Sequence, residues 1–76
     1  MKITMYTSKT CSRCAMAKNY LDEKGVNYEV ILTDNFTGDE MTKLIDKANG
    51  AMMLPIIFVD DKVFAGNDWK KIKELV

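Results

Sequence analysis

The chain has 76 residues, in which 11 lysines and arginines balance 11 aspartates and glutamates. A chain of this length predicts a single domain, covering 1–76, with a small hydrophobic core. The balanced charge disfavours a nucleic-acid binder, which usually has a basic excess, and no run approaches the roughly 18 apolar residues of a membrane span. The first residues do not resemble a signal peptide, so we expect a cytoplasmic monomer that binds neither nucleic acid nor membrane.

The first half of the chain predicts a strand, a helix and a second strand. Residues 3–7 alternate between apolar and polar side chains and are rich in β-formers, which favours a strand. After a short loop, 11–24 has apolar residues at helical spacing, and Gly25 is a typical helix stop. A second strand is predicted over 28–32.

The second half predicts a helix, a hairpin and a last helix. Thr37 is followed three positions later by a glutamate, which is the spacing of a capping box, and helical periodicity continues to the Asn49-Gly50 pair. The run 55–59 is almost continuously apolar, as in a strand buried on both faces, and it turns into 62–65 as a hairpin. Gly66-Asn67-Asp68 then opens a last helix, for which Asn67 or Asp68 is the expected cap.

The predicted order β-α-β-α-β-β-α places the chain in the α/β class. The first β-α-β should form a right-handed parallel unit. The hairpin and the last helix should complete a four-stranded mixed sheet flanked by helices.

The two cysteines, Cys11 and Cys14, lie three residues apart at the head of the first predicted helix. Unpaired N–H groups and the positive end of the helix dipole stabilise a thiolate there. The second thiol lies one turn on, so the pair can close into a disulfide and reopen. We expect Cys11 to be the exposed nucleophile and Cys14 the shielded resolving thiol.

A structural role for the two cysteines is less well supported than a redox role. A bridge between them would close only a very short loop and would stabilise the fold little. The chain has no histidine, so one copy supplies at most half of a four-ligand zinc site, and no metal site is predicted. The two thiols can also be ordinary core residues, although their loop-to-helix position would then be coincidental.

Four features of the chain resemble the thioredoxin fold in its compact, glutaredoxin-like form. They are the run Tyr6-Thr7-Ser8-Lys9-Thr10-Cys11, the C-x-x-C pair after the first strand, Met53-Leu54-Pro55 and Gly66-Asn67-Asp68. The resemblance covers essentially the whole chain. It implies a cis Leu54–Pro55 bond beside Cys11, with the backbone of residue 54 facing an extended substrate.

The resemblance also implies a set of residues that bind the substrate or glutathione. Lys9 and Arg13 could hold a carboxylate, although both could equally be solvated charges beside a loop. The helix start after Gly66 could offer N–H groups to an anionic ligand. The full predicted set is Lys9, Thr10, Ser12, Arg13, Met53, Leu54, Pro55, Gly66, Asn67 and Asp68.

The sequence departs from the usual glutaredoxin pattern at the positions that hold glutathione in that family. Ser12-Arg13 stands where Pro-Tyr is typical, Met53-Leu54 where Thr-Val is common, and Gly66 is the only glycine of the usual pair. The chain is also similar to the glutaredoxin-like hydrogen donors of ribonucleotide reductase, the NrdH-redoxins. That resemblance implies reduction by thioredoxin reductase, so both reductants stay open.

The resemblance predicts a thiol-disulfide oxidoreductase that reduces protein disulfides through Cys11 and Cys14. No cofactor is required beyond the redox-active disulfide, and glutathione is an alternative co-substrate. Client proteins with disulfides, ribonucleotide reductase among them, are the expected partners. The rival hypotheses are a glutathione-dependent [2Fe–2S] cluster carrier and a non-catalytic interaction module of the same fold.

Overall fold

The computed structural model describes residues 2–76 and contains the seven elements in the predicted order. None of the helices in this part of the chain is both long and apolar enough to span a bilayer. The elements are β1 (Ile3–Thr7), α1 (Ser12–Lys24), β2 (Glu29–Leu32), α2 (Gly38–Lys47), β3 (Ile56–Val59), β4 (Lys62–Ala65) and a C-terminal 3₁₀-helix (Gly66–Glu74).

The four strands form one mixed sheet in the order β2-β1-β3-β4, which confirms the predicted fold class. β1 and β2 are parallel, as expected for strands joined through a helix, whereas β3 is antiparallel to both β1 and β4. Thr7 lies opposite Leu32 at the end of the parallel pair. This register brings the end of β2 beside the loop that carries the cysteines.

The helices flank the sheet, as predicted, and the structure places them on both of its faces. On one face, α1 and the 3₁₀-helix bury a core with β1 and β3, and α2 covers a smaller cluster on the other face. Cys14, Ala17 and Leu21 are all buried along one side of α1. The first core comprises Ile3, Met5, Ala17, Leu21, Ile57, Val59, Trp69 and Ile72, and the second comprises Leu44, Ala48 and Ile56.

Local signals fix the ends of the helices and the turn of the hairpin. Thr37 and Glu40 form the complete predicted capping box at the start of α2. α1 ends at Gly25, whose φ of 68° lies in the left-handed region that glycine adopts without a steric penalty. At the hairpin turn, the backbone N–H of Asp60 donates to the carbonyl of Lys2 at 2.9 Å and ties the turn to the start of β1.

The last helix differs from the prediction in its type and in its cap. It is a 3₁₀-helix, and its apolar side chains recur every three residues at Trp69 and Ile72, which is the period of that helix. Neither Asn67 nor Asp68 caps it. The chain enters the helix directly from β4, so the cap position falls on Ala65, which makes no side-chain hydrogen bond there.

Candidate redox-active site

Cys11 occupies the cap position immediately before α1. Its backbone is extended, with φ −89° and ψ 108°, and its Sγ accepts a hydrogen bond from the backbone N–H of Cys14 at 3.2 Å. The sulfur thus takes the place that a serine or aspartate oxygen has in an ordinary cap. Reactive cysteines are commonly found at such helix starts, where unpaired backbone N–H groups and the helix dipole face the sulfur.

The two cysteines are free thiols and differ in exposure as predicted, because Cys11 is half-buried and Cys14 is 1% exposed. Burial raises the pKa of the Cys14 thiol, and its hydrogen bond with Cys11 raises that pKa further. Cys14 therefore keeps its proton to a higher pH than an ordinary thiol does. The arrangement separates an accessible sulfur from a protected one.

A groove of about 420 Å³ runs between α1 and β2 beside the two sulfurs. We call it the α1–β2 groove. Its lining includes Lys9, Cys11, Cys14, Lys18, Asp22 and Leu32. A disulfide-bearing segment in this groove would lie next to the accessible sulfur.

A second groove, of about 340 Å³, lies between the segment before Pro55 and the start of the 3₁₀-helix. We call it the methionine groove, because Met52 and Met53 on its rim are 74% and 54% exposed. The N–H of Gly66 donates to the carbonyls of Met53 at 3.1 Å and Pro55 at 2.9 Å. These contacts join the two sides of the methionine groove. Ala51, Ala65, Gly66, Asn67 and Asp68 complete the lining.

Arg13 packs against the methionine groove and lines neither groove. A Cβ built on Gly66 would lie 3.6 Å from Nη1 of Arg13 and 3.1 Å from Cβ of Met53, so these three residues meet closely. Nη1 is buried and has no hydrogen-bond partner among residues 2–76. The guanidinium therefore fills space beside the only glycine of this segment.

The other predicted binding residues lie in the cysteine loop, at the start of α1 and in the segment before β3. The backbone N–H of Lys9 donates to Oδ2 of Asp34 at 3.2 Å, which joins the cysteine loop to the loop that follows β2. The side chain of Lys9 is exposed. Thr10 and Ser12 are also exposed. The Leu54–Pro55 bond is cis, as the resemblance implied. Pro55 is fully buried and Leu54 is half-buried against the α2 cluster.

Sequence reasoning missed several residues that line the α1–β2 groove, among them Lys18, Asp22 and Leu32. Lys18 and Asp22 follow Cys14 at four-residue intervals on α1, so helical spacing alone would have placed them on its face. Leu32 carried no such signal, because its position depends on the pairing of β1 with β2.

Comparison with known proteins identifies the family. The glutaredoxin family model matches residues 3–64. Glutaredoxin 1 of Rickettsia conorii is 44% identical over 66 residues, which cover 87% of this chain and 65% of that protein. A probable glutaredoxin of Synechocystis is 38% identical over 69 residues, covering 88% of this chain and 75% of that protein. The chain thus spans just under two thirds of the length of the Rickettsia conorii relative.

Solved structures agree with the sequence matches. The glutaredoxin from Archaeoglobus fulgidus aligns with a TM-score of 0.76 at 34% identity, covering 96% of this chain and 83% of that one. The glutaredoxin-like protein NrdH-redoxin from Escherichia coli aligns with a TM-score of 0.81 at 28% identity, covering 100% and 96%. With a thioredoxin-like fold and a matching family model over most of its length, this chain belongs to the glutaredoxin family.

Proposed function

We propose that this protein is a thiol-disulfide oxidoreductase that reduces protein disulfides through Cys11 and Cys14. The observation that carries the proposal is the hydrogen bond of 3.2 Å from the Cys14 N–H to the Cys11 sulfur, combined with the contrast in exposure between the two thiols. One sulfur is accessible at the start of the helix, and the other is buried one helical turn behind it, as a nucleophile and a resolving thiol require.

The first step is an attack by the Cys11 thiolate on one sulfur of the client disulfide. A bond forms between Cys11 Sγ and that sulfur, and the client S–S bond breaks. The leaving client sulfur departs as a thiolate and takes a proton from solvent. The client is then held to Cys11 by a mixed disulfide.

The second step is an attack by Cys14 on the Cys11 sulfur. Cys14 first loses its proton to solvent, which its burial disfavours. A bond then forms between the two protein sulfurs, and the second client sulfur leaves as a thiolate. The client has gained two electrons, and the pair Cys11–Cys14 has become a disulfide.

The predicted binding residues are proposed to contact the client on both sides of Cys11. Lys9 lines the α1–β2 groove, whereas Met53 and the start of the 3₁₀-helix line the methionine groove. Thr10, Ser12 and Leu54 lie near these grooves in the chain and would contact a bound segment through their backbone. Arg13, Pro55, Gly66, Asn67 and Asp68 complete the proposed contact set.

We propose thioredoxin reductase as the reductant, with glutathione as the alternative. The guanidinium of Arg13 and the side chain of Met53 fill the space beside Gly66, where glutaredoxins that use glutathione typically have two glycines. The similar NrdH-redoxin from Escherichia coli has a thioredoxin-like activity profile, which favours the same reductant. Ribonucleotide reductase is the proposed client, and the cytoplasm is the proposed compartment because dithiols stay reduced there.

The reductant is tested by offering the oxidised protein NADPH with one of two recycling systems. One contains thioredoxin reductase, and the other contains glutathione and glutathione reductase. We expect NADPH oxidation to be fast only in the first. Fast oxidation in the glutathione system alone would overturn the choice of reductant and would leave the oxidoreductase proposal standing.

The roles of the cysteines are tested by two isosteric variants and an insulin-reduction assay. Cys11→Ser should abolish insulin reduction because the nucleophile is gone. Cys14→Ser should accumulate a mixed disulfide with insulin, visible as a mass increase that a reducing agent removes. Retention of full activity by Cys11→Ser would sink the proposal and favour a non-catalytic module.

A further inference from the structure

The α1–β2 groove contains features that the two-step exchange does not use. Beyond the sulfurs, one wall of the groove is a stripe of α1 side chains that includes Lys18 and Asp22, and the other contains Leu32. The stripe continues from Cys14 at four-residue spacing, so it leads away from the reacting sulfur along the helix.

Two lysines line this groove near the sulfurs. Lys9 is exposed and Lys18 is half-buried, and within residues 2–76 the one ion pair joins Lys71 and Asp68 elsewhere. Two acidic groups lie nearby: Asp22 accepts a hydrogen bond from the Tyr28 hydroxyl at 2.7 Å, and Asp34 accepts one from the Lys9 backbone N–H at 3.2 Å. Neither lysine forms an ion pair within that part of the chain, so neither ammonium group is held by a carboxylate.

The strand side of the groove is apolar and accessible. Leu32 lines the groove and is 44% exposed, and Val30, two residues earlier on β2, is 40% exposed. By register they lie beside Thr7 and Met5, whose buried side chains face α1, so both point to the same side of the sheet. Since β2 is an edge strand, no further strand of residues 2–76 covers them.

Resting on the proposed function, we propose that the α1–β2 groove receives an extended, acidic segment of the client protein. Its disulfide cysteine lies at Cys11, its acidic side chain meets Lys18, and its apolar side chains contact Leu32 and Val30. The seven residues from Cys11 to Lys18 rise about 10 Å along the helix. At about 3.3 Å per extended residue, the acidic residue lies about three positions from the client cysteine.

The test uses synthetic disulfide peptides that differ only in charge. Each has a disulfide-bonded cysteine and the same apolar flanks, with Glu, Gln or Lys at the third position on either side. The measured quantity is kcat/KM for peptide reduction, expressed as a ratio to the Gln peptide. The wild-type protein should prefer the Glu peptide and disfavour the Lys peptide.

Lys18→Glu should invert that preference. Exchanging an attraction for a repulsion at a partly exposed site changes the Glu-to-Gln ratio by about fivefold, and raised salt should shrink the effect. The Lys peptide should gain in the same variant, so a general loss of activity cannot imitate the result. Any effect of the new charge on the cysteines themselves acts on all three peptides and cancels in the ratio.

Lys43→Glu is the matched control, because it changes the net charge equally from an exposed position on α2, which covers the opposite face of the sheet. Its ratios should equal those of the wild type. Unchanged ratios in Lys18→Glu, with reduction otherwise normal, would overturn the groove proposal alone. Equal shifts in both variants would overturn it as well, in favour of long-range steering. Absence of reduction of every peptide by the wild-type protein would instead refute the proposed function.

Discussion

Gly66→Ala should destabilise the protein for two separable reasons. Gly66 has φ 58°, in the left-handed region, and a Cβ at that position would approach Cβ of Met53 to 3.1 Å. Gly25→Ala is the matched control, because Gly25 has φ 68° and no atom within 4 Å of a built Cβ. The control experiences the backbone strain without the close contact.

The expected magnitudes differ by about a factor of two. The left-handed conformation costs an alanine about 1 kcal/mol at either position. The contact at residue 66 adds about 1 kcal/mol, at the low end for overpacking, because Met53 lies in an exposed segment that can shift slightly. For a domain of this size each 1 kcal/mol lowers Tm by about 4–8 °C, so Gly66→Ala should lose about twice as much as Gly25→Ala.

Urea unfolding of the reduced proteins measures the two free energies. A second pair of substitutions identifies the contact, since Met53→Gly removes the clashing Cβ and Met53→Ala keeps it. The extra cost of Gly66→Ala should disappear in the Met53→Gly background and persist in the Met53→Ala background. Equal losses in Gly66→Ala and Gly25→Ala would show that the contact with Met53 carries no cost and would refute the reasoning.

Three further predictions concern pH and helix capping. Folding raises the pKa of the Cys14 thiol above its ordinary value of 9.0, so the free energy of unfolding should fall as the pH rises above 9.0. The fall should be smaller in Cys14→Ala. Burial and the hydrogen bond to Asp22 raise the pKa of Tyr28 to about 12, so the free energy of unfolding should also fall between pH 10 and 12. Tyr28→Phe should remove this contribution to the fall. Urea midpoints of the reduced proteins across pH would show both, and pH-independent midpoints would contradict them. Thr37→Ala should cost about 1 kcal/mol by removing the capping box, whereas a change below about 0.3 kcal/mol would mean that the box is not maintained in solution.

Features set by neighbouring residues in the chain were predictable from the sequence. The capping box at Thr37, the helix stop at Gly25 and the position of Cys11 at the head of α1 all depend on contacts within a few residues. The difference in exposure between Cys11 and Cys14 followed from the same local geometry. These features can be predicted from the sequence because the groups that contact one another lie within one helical turn.

The cap of the last helix shows where local reasoning stops. Asn67 and Asp68 are residue types that favour caps, and nothing in the neighbouring residues moves the cap to Ala65. The path of the chain out of β4 decided it, together with the packing of Trp69 and Ile72 on the sheet. Asn67 and Asp68 therefore do not cap the helix, because the chain already turns into it at the end of β4.

By itself, the sequence determined the element order, the redox pair and its place at a helix tip, because these depend on spacing along the chain. Only the tertiary structure decided what surrounds the sulfurs. Leu32 reaches the groove through the pairing of β1 with β2, and Arg13 meets Met53 and Gly66 because the hairpin brings the start of the 3₁₀-helix back beside Pro55. Groove shape and charge arise from such contacts between distant segments, which no spacing within one segment encodes.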